Sequence, residues 1–166
     1  MKIQSMVYLI CTLAVMAAIF LFSSQPLSES YKISDIFANP VESGVDSQIT
    51  NAAFENDQAK TDYLTELNGH IKTFVRKTAH GVIFAALAMF LYLFLSSIAA
   101  GDIRAFLAAL VFCAVYAAGD ELHQHFVPSR NASVTDIFID TAGSLLMLLA
   151  ILFIKKLINN RRRRKL

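Results

Sequence analysis

Four long apolar blocks restrict what this chain can fold into more than any other feature. Residues 3–22, 79–100, 103–118 and 137–154 form runs of 20, 22, 16 and 18 residues. A helix crossing the ~30 Å hydrocarbon layer needs about 20 apolar residues, with a range of roughly 17 to 25. Three blocks fit, and the third is short. A soluble helical bundle would break its apolar residues into a stripe with charges between them. Composition points the same way, with 55% of the 166 residues hydrophobic and 17% charged, against about 25% charged in soluble domains.

The expected fold is therefore all-α: a polytopic membrane domain over residues 1–166, with four transmembrane helices in a bundle. The spans fall at about 3–22, 79–100, 103–123 and 137–154, followed by a basic tail over 155–166. Met1-Lys2 resembles the start of a signal peptide. No small-x-small cleavage site follows, however, and Ile10 before Cys11 breaks a lipoprotein pattern, so the first block is read as a retained helix. Cys11 and Cys113 lie inside separate apolar blocks and read as small packing residues, not as a disulfide framework.

Charge sets the orientation. With the N-terminus cytoplasmic, the inner segments carry nine basic residues (Lys2, Arg104, Lys155, Lys156, Arg161, Arg162, Arg163, Arg164 and Lys165) against the single acid Asp102, while the outer segments carry six basic and twelve acidic residues. Excess Lys and Arg on short inner segments is the positive-inside pattern, so both termini are expected in the cytoplasm. The run at 161–165 reads as an anchor beside anionic lipid and not as a nucleic-acid site.

Between the spans, residues 23–75 form a long extracytoplasmic stretch. Its first part, Ser23 to about Asn56, is rich in Ser, Asn and Asp and contains Pro26, Pro40 and Gly44, which suggests an irregular loop. From Gln58 the pattern changes: Tyr63, Leu67, Ile71, Phe74 and Val75 recur at helical spacing, as in an outer amphipathic helix leading into the second span. Residues 101–104 read as a tight turn. Pro128 and Asn131 mark another, followed by Ser133 and Asp136 spaced as a capping box for the fourth span.

Polar residues gather at one level. Ser23, Ser24 and Gln25 end the first span, and Arg76, Lys77 and His80 open the second. Asp120, Glu121, His123, Gln124 and His125 end the third, and Arg130, Ser133, Asp136 and Asp140 open the fourth. The third block covers only about 24 Å at 1.5 Å per residue, which draws Asp120 and His123 down to hydrocarbon depth. Ionisable groups there are costly and face a bundle interior or a wet cavity. Helical spacing puts Asp120, His123 and Gln124 on one face, Arg76 and His80 on another, and Asp136, Asp140, Gly143 and Ser144 along a third.

Plainer roles compete at each position. Arg76 and Lys77 can snorkel to headgroups, Asp136 can act only as a cap, and Asp120 with Arg130 can form a structural ion pair. His70 and His125 read as exposed residues. His80 and His123 at membrane level have few plain roles. A metal site from Asp120, Glu121, His123 and His80 is conceivable, but no HExxH or Cys cluster supports it and no GxSxG elbow supports a serine nucleophile, so no metal or cofactor is expected. Candidates for proton transfer are His80, Asp120 and His123, without an assigned reaction. Ligand-binding candidates are Arg76, Lys77, His80, Asp120, Glu121, Gln124, Arg130, Ser133, Asp136 and Asp140. A phosphate gripped by Arg76, Lys77 and Arg130 suits this set, with Arg130 able to make bidentate contacts.

In order along the chain, Phe22-Ser23-Ser24-Gln25, Arg76-Lys77-Thr78-Ala79-His80, Asp120-Glu121-Leu122-His123-Gln124 and Pro128-Ser129-Arg130, with Ser133, Asp136 and Gly143, resemble the VanZ-like family. This is a family of bacterial multi-span membrane proteins named for a member linked to teicoplanin resistance. The chain departs from the family pattern at Gly81, Ile83 and Phe84, where aromatic and acidic residues are usual, at Ser129 in a glycine position, and at Asp140, where asparagine is common. The resemblance implies a bacterial cell-membrane protein with an envelope role and no fixed reaction. Three classes of function follow, in this order: a binder of membrane lipid, a lipid-linked envelope precursor or a glycopeptide; an enzyme acting on a lipid-linked phosphate; and a structural or regulatory partner of another envelope protein.

Overall fold

The computed structural model describes residues 2–48, 54, 56–98, 101–130 and 132–163. They form five helices: α1 (Ile3–Ser23), α2 (Leu27–Gln48), α3 (Asp57–Ile98), α4 (Asp102–His125) and α5 (Val134–Arg163). Asn131 of the expected turn and Arg164 and Lys165 of the basic run lie outside the described residues.

Four helices, α1, α3, α4 and α5, are long and apolar enough to cross a membrane. Their outward faces leave large apolar residues uncovered, among them Leu13, Leu21, Val82, Val111, Val115, Leu146 and Phe153. So much exposed apolar surface would drive aggregation in water; in lipid it is matched to its surroundings. The chain is a multi-pass membrane protein.

Helix α3 is the axis of the bundle and touches all four others, most extensively α5. Its buried residues Phe84, Leu87, Ala88, Leu91 and Tyr92 pack against Ile19 of α1, Leu148 of α5 and a stripe of small residues on α4. That stripe is Ala105, Ala109, Cys113 and Ala117, one residue per turn, which lets backbones approach in the absence of any hydrophobic drive between helices in lipid. Cys113 is buried and Cys11 half-buried, and both are free thiols. At one contact even alanine is too large: a Cβ on Gly143 would run into the backbone of Gly81, whereas a Cβ on Gly81 would meet the Ile139 side chain at an ordinary 3.5 Å.

The ends of the bundle differ. Where α1 begins and α5 ends, the Ser5 and Ser97 hydroxyls lie 2.9 Å apart. Beside them, Lys155 donates to Asp102 at 2.7 Å and to the Tyr92 hydroxyl at 2.9 Å. Nearly all other buried polar chemistry lies at the opposite end.

Of the stretch read as an irregular loop, residues 49–53 and 55 lie outside the described residues, and Leu27–Gln48 is helix α2. Its inward stripe is Leu27, Tyr31, Ser34, Ala38, Glu42 and Val45, at helical spacing but half polar or small. Neither its apolar periodicity nor its Ser, Asp and Pro content suggests a helix, and contact with α3 decides the matter. Tyr31 faces Thr73 at 3.3 Å, and Lys72 pairs with Asp35 at 2.9 Å. The amphipathic stretch before the second span is helical and runs unbroken into it. Its 42 residues make α3 about 63 Å long at 1.5 Å per residue, far longer than the hydrocarbon layer.

Candidate functional site

The buried stripe of α4 continues past Ala117 as Asp120, Glu121 and Gln124, so the helix that packs the core also points two carboxylates and an amide into it. What surrounds them divides into two halves.

The first half joins α1, α4 and the α4–α5 loop. Asp120 Oδ2 accepts from the Ser23 hydroxyl and from Gln124 Nε2, each at 2.8 Å. The Gln124 carbonyl in turn accepts from Arg130 Nη1 at 2.9 Å. The rest of the guanidinium turns to the end of α1, with Nε donating to the Gln25 carbonyl at 2.9 Å and Nη2 to the Phe22 carbonyl at 3.1 Å. Backbone carbonyls at a helix C-terminus lack helical partners and carry partial negative charge, so a buried arginine satisfies both needs there. Every guanidinium nitrogen thus has a protein acceptor. Asp120 and Arg130 do not touch; Gln124 stands between them. Burial lowers the basicity of Arg130 below the usual guanidinium value, and the nearby Arg76 cation adds to this, while Asp120, Glu121 and Asp136 raise it.

The second half joins α3 and α5. Lys77 pairs with Asp136. Glu121 accepts from the Ser133 backbone N–H just ahead of α5, where a carboxylate suits the positive end of the helix dipole. The capping box is therefore not closed by Asp136, because its carboxylate holds Lys77 and the Ser133 N–H is taken by Glu121. His80 Nδ1 lies 3.9 Å from Asp140 Oδ2, too far for a hydrogen bond. Two buried atoms here have no hydrogen-bond partner, Arg76 Nε and Asp140 Oδ1. Among the described residues Arg76 makes no hydrogen bond or ion pair at all.

Two spaces meet at these groups. A void of about 10 Å³ is lined by Arg76, Lys77, His80, Gln124, Asp136, Ile139 and Asp140; it has room for about one water-sized group. A larger cavity of about 190 Å³ lies among α1, α2 and α3, lined by Ile19, Phe22, Gln25, Ser30, Ser34, Arg76, Ala79, His80 and Ile83. Its walls are mainly apolar. Arg76 and His80 border both spaces, and Gln124 links the small void to the Arg130 half.

His123 stands apart from His80. Its ring stacks on Phe20 with centroids 4.7 Å apart, and its Nε2 is 3.0 Å from the Ser24 hydroxyl. That hydroxyl's proton goes to the Phe20 carbonyl, so His123 is the donor in this bond. It borders a groove between α1 and α4 that also contains Phe112, Tyr116 and Asp120. Among the described residues no three His, Cys, Asp or Glu side chains converge on a metal position.

Comparison with protein families decides the relationship, since the VanZ/LLP1 family model matches residues 7–155. The chain belongs to the VanZ/LLP1 family. Both halves of the polar cluster lie wholly inside the VanZ/LLP1 match, as do all four spans apart from the first residues of α1 and the last turns of α5. No curated protein and no solved structure matches the chain.

The structure thus brings together Ser23, Asp120, Gln124 and Arg130 directly, and Arg76, Lys77, His80, Asp136 and Asp140 around the adjoining void. Glu121 and Ser133 form a separate link at the start of α5. Sequence reasoning missed two contributors: the carbonyls that end α1, which no side-chain pattern reveals, and Ser30 and Ser34 of α2. Ser30 and Ser34 are one helical turn apart, a signal that was available had the segment been read as helix.

Proposed function

We propose that this VanZ/LLP1 chain is a cytoplasmic-membrane protein, with both termini in the cytoplasm, whose Arg76–His80 half binds the anionic headgroup of a membrane lipid or lipid-linked envelope precursor at the outer face. One observation carries the reading: among the described residues Arg76 makes no hydrogen bond or ion pair, its Nε is buried, and it stands where a mainly apolar cavity meets buried polar groups. Cations at hydrocarbon depth are expensive unless something neutralises them, and an amphiphile supplies an anion and an apolar tail together. In this reading Arg130 and Asp120 hold α1, α4 and the loop in register and do not grip the ligand. A role in glycopeptide susceptibility, teicoplanin included, follows if the bound molecule is a cell-wall precursor.

The test is lipid analysis by mass spectrometry of the protein purified in mild detergent. Anionic lipid should copurify with the wild type and be depleted at least tenfold from Arg76→Gln; equal retention by both sinks the proposal. Orientation is tested by impermeant thiol labelling of intact cells, in a background with Cys11 and Cys113 replaced by alanine. Ser43→Cys should label and Asn159→Cys should not, and the reverse pattern inverts the topology.

A catalytic reading rests on His80, which borders both spaces beside Arg76 and would act as general base on a phosphate-bearing ligand there. It requires His80→Ala to retain bound lipid while abolishing any turnover of it. Loss of binding and turnover together would leave only the binding role.

A further inference from the structure

Resting on that binding reading, we infer that the headgroup is hydroxylated as well as anionic, of the glycerol-phosphate or sugar-phosphate class. The void of about 10 Å³ has an orphan of each kind on its walls: Arg76 Nε is a buried donor without an acceptor, and Asp140 Oδ1 is a buried acceptor without a donor. Asp140 is 97% buried, with a relative exposure of 3%. A buried polar atom left unmatched costs free energy, and a buried charged one costs more. A phosphodiester oxygen answers Arg76 but brings no proton to donate to Asp140 Oδ1. An amine answers Asp140 but repels Arg76 and Lys77. A hydroxyl is small enough for the void, donates to Asp140 and accepts from Arg76 or His80. The attached phosphate then stays in the larger cavity, on the other side of Arg76 and His80, with its chain against Ile19, Phe22 and Ile83.

Selectivity among matched lipids tests this. Native mass spectrometry of the full chain would be titrated with phosphatidylglycerol, phosphatidic acid and phosphatidylcholine of identical acyl chains, with free glycerol phosphate as a soluble competitor. Wild type should prefer phosphatidylglycerol over phosphatidic acid by about tenfold or more, the size of one hydrogen bond to a charged group. Asp140→Asn should cut that preference to about twofold or less while still binding phosphatidic acid. Arg76→Gln should weaken both anionic lipids alike. If wild type binds the two anionic lipids equally and Arg76→Gln loses both, the hydroxyl inference fails and anion binding stands. If phosphatidylcholine binds as well as either, or Arg76→Gln changes nothing, the binding reading fails with it. Competition by free glycerol phosphate at the affinity of the lipid would show that the apolar cavity adds nothing, which also overturns the lipid reading.

Discussion

Arg130 and Arg76 lie at the same end of one bundle and feel each other's charge, yet their surroundings are opposite. Arg130 is buried, and each of its nitrogens donates to a protein oxygen, on Phe22 of α1, on Gln25 just beyond it or on Gln124 of α4. Arg76 is half-buried, and among the described residues none offers it such an oxygen. Where a charged group is matched atom for atom, the fold depends on it; where it is left unmatched beside a cavity, something other than the fold accounts for its presence. Under the proposed binding role, this contrast gives the α1–α4 half the task of holding the bundle and the α3–α5 half that of meeting the ligand.

The largest expected effect is on the matched side. Arg130→Ala leaves two helix-end carbonyls, the Gln124 amide oxygen and, behind it, the Asp120 carboxylate without their buried donor. Loss of one partner from a buried charged network costs roughly 3–5 kcal/mol. Arg130→Lys keeps the charge but cannot span three acceptors with one ammonium, and should lose about 1–3 kcal/mol. Thermal or chemical unfolding in detergent measures both. If Arg130→Lys is as stable as wild type, the network does not hold the end of α1, and Arg130 returns as a candidate for gripping the ligand.

A smaller effect probes the joint beneath the second half. Gly143→Ala places a methyl against the Gly81 backbone, and overpacking of this kind costs about 1–3 kcal/mol. Gly81→Ala meets Ile139 at ordinary contact distances, its side chain at 3.5 Å and its carbonyl oxygen at 3.7 Å, so it should be neutral or gain up to about 1 kcal/mol from better helix propensity. Opposite signs at two facing glycines would fix the α3–α5 spacing that sets the width of the void one turn away. Equal losses would mean that the helices are closer at Gly81 as well.

The sequence made some of this legible and hid the rest for physical reasons. The spans follow from the length of the apolar blocks, because lipid demands continuous apolarity and nothing competes with that signal. Helix α2 was hidden because its inward stripe includes Ser34, Ala38 and Glu42, and its stability comes from the α3 surface that covers it. The gathering of charged residues at one end was visible from depth alone. Their division into matched and unmatched arginines was not. It depends on where the carbonyls of Phe22 and Gln25 fall relative to a side chain more than 100 residues away, with separations of 108 and 105 positions, and no local spacing encodes that.

The smallest stability effect is the one that decides between the two halves. Arg76→Gln removes a cation that makes no hydrogen bond or ion pair among the described residues, so no network is broken. It also removes a positive charge that acts against Arg130. The glutamine amide is neutral and far cheaper to keep at that depth than an unpaired guanidinium. In detergent stripped of bound lipid, the variant should therefore unfold within about 0.5 kcal/mol of wild type, as a substitution outside any structural network does. With anionic lipid added back the comparison should change: wild type should gain stability in proportion to the logarithm of lipid concentration, because the ligand binds only the folded state, and Arg76→Gln should gain none. Arg130→Lys, weaker at the outset, should still respond to lipid, since Arg130 itself lines neither the void nor the cavity. Were Arg76→Gln to lose as much stability as Arg130→Ala in stripped detergent, Arg76 would be part of the structural lock and the two halves would be one.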